Sequence, residues 1–154
     1  MPSDFNIYKK SDGRVIVIIH SACAISIETI LALLMEAGVD KEKVTFLRPD
    51  EVGDCVGIGM ADLPVVIPVD QENCESSELD IAGRLCGQAG GRVIVLFGEA
   101  FPYTGLHPIA DKYGNQCGWS ADELTALLQK PEFAPPRDSS SAPVTRPHPS
   151  QVKC

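Results

Sequence analysis

The 154-residue chain lacks the cysteine and histidine patterns that typically bind structural metal ions. Its six cysteines are scattered, no two of them form a C-x-x-C pair, and only three histidines accompany them. Structural zinc sites need such ligands at short, regular spacings. We therefore predict no metal site and expect most cysteines to be small buried hydrophobic side chains.

Long hydrophobic runs are also missing. No run approaches the roughly 18 apolar residues that a membrane-spanning helix requires. The opening segment MPSDFNIYKKSDG contains no apolar stretch of the kind that a secretion signal carries. We therefore expect a cytoplasmic protein without a membrane partner, in which the cysteines stay reduced.

Positive charge is scarce. The chain has 13 lysines and arginines against 21 aspartates and glutamates, which gives a net charge of −8. Nucleic acids and anionic membranes attract basic surfaces, so this balance argues against both as partners. It leaves a small-molecule ligand, a second copy of the chain or a basic protein partner.

Familiar nucleotide and phosphate motifs are absent or misplaced. There is no G-x-G-x-x-G after the first predicted strand and no P-loop lysine. Cys86 and Arg92 have the C-x5-R spacing of cysteine phosphatases, but that loop must follow a strand and open a helix. Here the cysteine lies late in a predicted helix. Asp70 lies where a receiver domain has its phosphoacceptor, yet His20 and Ser21 replace the acidic pair that would hold magnesium.

What the sequence does contain is an alternation of apolar strands and amphipathic helices. Continuous β-branched and apolar runs predict buried strands at 14–19, 43–48, 63–69 and 92–97, with a short fifth strand at 116–119. Helical spacing predicts helices at 22–37, 77–89 and 121–130, a short helix near 107–113, and a loop with at most a short helix over 50–62. Residues 1–130 are therefore predicted to form one α/β domain, a three-layer sandwich with a doubly wound, mostly parallel sheet of four or five strands.

Two proline-containing features qualify this arrangement. Pro68 lies near the end of the third predicted strand, where a central strand disfavours proline because proline donates no ladder hydrogen bond. From Pro131 onward the chain is rich in proline and serine. That composition predicts a disordered tail over 131–154, which would suit a docking segment.

Polar residues follow three of the predicted strands. Because the carboxyl ends of parallel strands meet at one edge of the sheet, and ligands of open α/β sheets bind there, we predict the ligand site at this edge. Its candidate residues are His20, Ser21, Asp70, Glu72, Ser77, Glu78, Gly98 and Glu99. Glu78 opens a helix, where a carboxylate also serves as a capping or dipole partner, and that alternative stays open.

The segment ESSELDIAGRLCGQAGGRVIVLF resembles nucleoside 2-deoxyribosyltransferase-like proteins, in which a small-residue turn precedes a glutamate-bearing helix, a Gly-rich turn and an apolar strand. It is also similar to Toll/interleukin-1 receptor (TIR) domains, whose helix after the third strand bears an E-L pair. The opening RVIVIIHSACAISIETILALLMEAGV looks like the TIR first strand and helix. The resemblance spans residues 14–100 and implies a flavodoxin-like or TIR-like sheet. Ser76 and Ser77 stand where TIR domains often carry a tryptophan-cysteine pair, and Cys74-Glu75 stands where the transferases would have an aspartate.

Both families cleave N-glycosidic bonds. The resemblance implies that Glu78 acts as nucleophile or as stabiliser of the charge that develops at the anomeric carbon. It also implies that Asp70 or Glu72 holds ribose hydroxyls and that His20 or Ser21 contacts phosphate. NAD or a nucleoside would then be the substrate, with no separate cofactor.

Other interpretations remain open. Trp119, Tyr103 or Tyr113 would stack on a base, although each also suits a hydrophobic core. The chain is alternatively a non-catalytic module that binds a nucleotide or a protein, or an immunity or accessory protein whose acidic surface meets a basic partner. The sequence does not decide between an enzyme and a binding module.

Overall fold

The fold is a three-layer α/β sandwich. The computed structural model describes residues 13–55, 62–99, 101–129 and 134–144. The sheet has the order β2-β1-β3-β4-β5, and all its neighbouring strands are parallel. Its strands are β1 (Val15–Ile18), β2 (Val44–Leu47), β3 (Pro64–Val69), β4 (Arg92–Phe97) and β5 (Gly114–Cys117). This flavodoxin-like order confirms the predicted fold class.

Helices cover both faces of the sheet. They are α1 (Ile27–Glu36), α2 (Val52–Cys55), α3 (Ser77–Gln88), α4 (Pro108–Tyr113) and α5 (Ala121–Gln129), with 3-10 turns at Lys41–Lys43 and Pro49–Glu51. None of the helices in the described part is long and apolar enough to cross a membrane.

Two hydrophobic cores flank the sheet because successive strand residues point to opposite faces. Val66 and Leu96 pack with side chains of α1 and α5 on one face. Ile67, Val95 and Phe97 pack with side chains of α2, α3 and α4 on the other. Burying one such side chain stabilises the fold by about 1.5–3 kcal/mol. The central strands β1, β3 and β4 are therefore apolar at nearly every position rather than alternating.

Pro68 is tolerated in a central strand because of the side it faces. The carbonyls of Leu63 and Val69 accept hydrogen bonds from Arg92 of β4 and from Gly98 directly after it, so by alternation Pro68 faces β1. The last pair of the β1–β3 ladder is Val17 with Val66, which comes before Pro68. The missing N–H of proline therefore removes no ladder hydrogen bond.

The first helix begins later than predicted. The sequence predicts a helix over 22–37, whereas α1 begins at Ile27 after the N-cap Ser26, whose hydroxyl accepts from the Thr29 amide at 3.1 Å. The Ala24 amide instead donates to a carboxylate outside the helix. Gly38 follows the helix with φ +94°, the left-handed conformation that glycine adopts without strain. The residues before Ser26 are thus free to form a loop at the sheet edge.

Other predicted boundaries shift by a few residues or fall outside the described part. The fifth strand lies at Gly114–Cys117 rather than 116–119, because its first residue pairs with Val93 of β4. The predicted loop over 50–62 contains the short helix α2, and its residues 56–61 lie outside the described residues.

Residues 134–144 of the segment predicted as a tail make hydrogen bonds with β5. The side chain of Asn115 donates to the carbonyl of Ala134 at 3.2 Å. The Arg137 amide donates to the main-chain carbonyl of Gln116, and the Gln116 side chain donates to the carbonyl of Arg137, both at 3.2 Å. Asp138 is buried. This segment covers the β5 edge of the sheet, while 131–133 and 145–154 of the predicted tail lie outside the described residues.

Truncation after Lys130 should therefore destabilise the protein. It removes the hydrogen bonds that Asn115 and Gln116 make with residues 134–144, and each such bond contributes about 0.5–1.5 kcal/mol. Urea unfolding measures the change, with truncation after Val144 as the control. Equal unfolding free energies for the two truncations would show that residues 134–144 do not contribute to stability.

Candidate functional site

Loops after β1, β3 and β4 form two adjoining clefts at the carboxyl edge of the sheet. The first, here called the inner cleft, has a volume of about 310 Å³ and is lined among others by Ile25, Asp70, Glu72, Gly98, Glu99 and Phe101. The second, the outer cleft, is more open, has a volume of about 960 Å³ and is lined among others by His20, Glu72, Ser77, Glu78, Phe101 and Tyr103. Both clefts lie at the edge where ligands of such sheets bind.

Asp70 ties the loops of β1 and β3 together. Its Oδ2 accepts from the Ala24 amide at 2.7 Å, and its Oδ1 accepts from the amides of Glu72 at 2.9 Å and Asn73 at 3.3 Å. In return, the Asp70 amide donates to Asn73 Oδ1 at 2.8 Å, and Asn73 Nδ2 donates to the Pro68 carbonyl at 3.1 Å. Both Asp70 oxygens thus accept hydrogen bonds from backbone amides, and the ribose binding that the resemblance implies for Asp70 stays a prediction. The contacts give it a structural role.

His20 and Glu78 form a hydrogen-bonded pair at the outer cleft. His20 Nε2 lies 2.8 Å from Glu78 Oε1. Because His20 Nδ1 accepts from the Ala22 amide at 3.0 Å, the neutral ring carries its proton on Nε2 and donates to Glu78. The His20 side chain is 13% exposed and the Glu78 side chain 68% exposed. The pair therefore presents an oriented but solvent-accessible carboxylate.

The first turn of α3 fixes the main chain at Glu78. Ser76 is the N-cap, and its hydroxyl accepts from the Leu79 amide at 3.2 Å. A negative side chain in this turn interacts favourably with the helix dipole. Leu79 is fully buried against the sheet. The main chain at Glu78 is thus fixed by the capping serine and the buried leucine, while the exposed carboxylate is oriented by His20.

The other predicted site residues divide between the clefts. Glu72 lines both, Ser77 lines the outer cleft, and Gly98 and Glu99 line the inner cleft. Ser21 is exposed in the turn after β1 and lines neither cleft. The structure therefore brings His20 and Glu78 into contact and leaves Ser21 outside.

Phe101 and Tyr103 form an aromatic wall between the outer cleft and the core. The Tyr103 ring stacks on the Phe97 ring, with ring centroids 4.7 Å apart and an interplanar angle of 16°. The ring centroid of Phe101 lies 5.7 Å from that of Tyr103. Of the three aromatic residues considered from the sequence, Tyr103 lines a cleft at this edge. Tyr113 packs beside α3, and Trp119 packs against the core on the other face. Phe101, which lines both clefts, was not among the predicted site residues. An aromatic residue in the loop after a central strand would have indicated it.

His107 fixes the end of the loop between β4 and α4, which carries the aromatic wall. It is the N-cap of α4, and its Nδ1 accepts from the Ile109 amide at 3.1 Å while its Nε2 lies 2.8 Å from the Cys74 carbonyl. Its main-chain amide donates to Gln116 Oε1 at 2.7 Å. Burial lowers the pKa of His107, because the charged ring is poorly solvated there. The neutral ring is therefore the form that the structure accommodates.

Three cysteines described by the structure are poor nucleophiles. Cys23, Cys74 and Cys117 are free thiols, and the side chains of Cys55 and Cys154 lie outside the described part. Burial raises the pKa of Cys23, Cys74 and Cys117, which keeps each thiol protonated near neutral pH. The described residues also contain no cluster of three or more ligands suited to a metal ion.

The C-x5-R spacing forms no phosphate loop. Cys86 is buried in α3, and Arg92 begins β4. The Arg92 guanidinium donates to the carbonyls of Leu127 and Leu128 at 3.0 and 3.3 Å, at the end of α5. The arginine therefore caps a helix, as the reversed order of helix and strand in the sequence suggests.

The lowered pKa of His107 predicts a pH dependence of stability. Between its folded pKa and its ordinary value of about 6.5, the unfolded chain binds more protons, so stability should fall as the pH decreases through this range. His107→Asn keeps a favourable N-cap and removes the titration. Its unfolding free energy should change less between pH 7 and pH 5 than that of the native protein. Equal changes in the two proteins would contradict this assignment.

Comparison of the chain with protein-family models, with curated proteins and with solved structures finds no match. The likeness to TIR domains and deoxyribosyltransferases therefore stays a hypothesis drawn from residues. Any function assigned to the clefts depends on their own geometry.

Proposed function

We propose that the outer cleft binds a nucleoside-like N-glycoside and that Glu78 acts on its glycosidic bond. The observation that carries this proposal is the His20–Glu78 pair, with 2.8 Å between His20 Nε2 and Glu78 Oε1. Cleavage of an N-glycoside needs an ionised carboxylate held beside the anomeric carbon, as nucleophile or as a stabiliser of positive charge. A neutral histidine that donates to one oxygen orients such a carboxylate.

The second oxygen of Glu78 is available to a ligand. Within the described part of the chain, Oε2 has no hydrogen-bond partner. The side chain is 68% exposed and lines the outer cleft. A bound sugar would displace water from this oxygen and strengthen its interaction with developing positive charge. His20 would remain the positioning partner.

The lining of the cleft suits a sugar and a flat base. Ser77 and Glu72 supply polar groups for sugar hydroxyls, and the Tyr103 ring offers a surface for stacking. Glu75 also lines the cleft, so carboxylates dominate its charge. Among the described residues, no lysine or arginine lines either cleft. This charge pattern favours a neutral or cationic nucleoside over a polyphosphate.

His20 is poorly suited to bind phosphate, which the resemblance implied as one of its roles. Its Nε2 donates to Glu78 and its Nδ1 accepts from Ala22. Neither nitrogen has a proton left for an anionic ligand. In the proposed function, His20 therefore orients the Glu78 carboxylate and does not bind phosphate.

A second candidate is a binding module without chemistry. The exposure of Glu78 favours it, because an exposed carboxylate in the first turn of a helix also serves as a dipole partner. The same cleft would then hold the ligand without bond cleavage. Release of free base separates the two candidates.

Glu78→Gln is expected to lower base release at least about a hundredfold while nucleoside binding and folding persist, because the amide keeps the shape and loses the charge. The assay incubates the protein with purine, pyrimidine and nicotinamide nucleosides and with NAD, and follows free base by chromatography. Binding is measured by calorimetry.

Glu28→Gln is the matched control. Glu28 holds the same place in α1 that Glu78 holds in α3, two residues after a serine N-cap, but it lines neither cleft. Both changes should alter stability by about 0.3–1 kcal/mol. Nucleoside binding without base release by the native protein would establish the binding module. Unchanged release by the Glu78 variant would remove that residue from catalysis.

A further inference from the structure

The C-terminal segment and the aromatic wall of the outer cleft are joined by reciprocal hydrogen bonds. The Tyr103 amide donates to Ser139 Oγ at 2.7 Å. The Tyr103 carbonyl accepts from the Ser139 amide and from Ser139 Oγ, both at 3.0 Å. One serine thus satisfies both main-chain groups of a residue 36 positions earlier in the chain.

Gln116 supports the same loop from inside the protein. Its side chain is fully buried, with Oε1 accepting from the His107 amide at 2.7 Å. Its Nε2 donates to the carbonyls of Gly105 at 2.8 Å and Arg137 at 3.2 Å. A single amide therefore connects β5, the loop after Tyr103 and the C-terminal segment.

The segment around Ser139 is itself a closed turn. Asp138 Oδ1 accepts from the amide and hydroxyl of Ser140 at 2.9 and 2.7 Å and from the Ala142 amide at 3.1 Å. The main chain approaches β5 closely, since a Cβ at Gly118 would lie 3.1 Å from the carbonyl oxygens of both Asp138 and Ser139. Ser139 is therefore presented from a fixed backbone.

We propose that Ser139 is a positioning residue for the ligand site, holding Tyr103 in its stacked place on Phe97 so that its ring forms the wall of the outer cleft. This inference rests on the proposed binding of a nucleoside in that cleft. Without the serine hydroxyl, the loop loses two hydrogen bonds to Tyr103, and a ligand that stacks on the ring must order the loop again. Affinity should fall, while the bond-breaking step at Glu78 should not.

Ser139→Ala tests the inference in the full-length chain. Amide hydrogen exchange at Tyr103 should become about three- to tenfold faster, because the acceptor of that amide is gone. The dissociation constant or KM for a nucleoside should rise by a similar factor, with kcat nearly unchanged. Ser139→Thr, which keeps the hydroxyl, should restore both quantities.

Ser141→Ala is the control, because Ser141 is an exposed serine in the same turn. It should leave exchange at Tyr103 and nucleoside affinity as in the native protein. Unchanged exchange in Ser139→Ala, or faster exchange with unchanged affinity, would overturn the positioning role alone. A native protein that binds no nucleoside would overturn it together with the proposed function.

Discussion

The carboxylate of Asp70 is the interaction on which the geometry of this sheet edge depends. It lies between β1 and β3, where the strand order reverses, and accepts amides from the loops that follow both strands. Such a carboxylate stabilises the loops by accepting hydrogen bonds from backbone amides that are partly or fully buried. The turn before Ala24 is closed by a hydrogen bond from the Cys23 amide to the His20 carbonyl at 2.9 Å, and His20 Nε2 lies 2.8 Å from Glu78 Oε1. One loop thus connects the structural carboxylate of Asp70 with the partner of a candidate catalytic carboxylate.

The sequence predicted the layers of the fold better than their edges. Strands that are buried on both faces are apolar at nearly every position, so their apolar runs predicted them. Gly38 and Gly90 follow α1 and α3 with left-handed φ angles of +94° and +92°, a conformation typical of glycine at helix ends. The predicted start of α1 was wrong because Ser26 caps the helix at the Thr29 amide, while the earlier Ala24 amide donates to Asp70. Pro68 is unfavourable in a central strand by sequence alone, and the structure shows that it faces β1 beyond the last ladder pair.

The alternation of strands and helices predicted the sheet edge at which the candidate residues lie, but not the contact that supports Tyr103 there. Strand ends indicated where His20 and Glu72 would lie, because parallel strands share a carboxyl edge. The bond between Ser139 and Tyr103 could not be foreseen, since proline- and serine-rich composition is typical of disorder and the partners lie 36 residues apart. A usable signal existed in Asp138 and the serines after it, whose spacing suits a side-chain-capped turn.

The two parts of the site differ in how they are held. Glu78 lies on a helix whose capping and burial are local, with Ser76 and Leu79 within three residues of one another. The aromatic wall depends instead on Gln116 and Ser139, which reach it from distant parts of the chain. Local support keeps a reacting group rigid when the surrounding loops change. Changes at Gln116 or Ser139 are therefore expected to alter the wall more than the position of Glu78, so that under the proposed function ligand affinity and bond cleavage would respond to different substitutions.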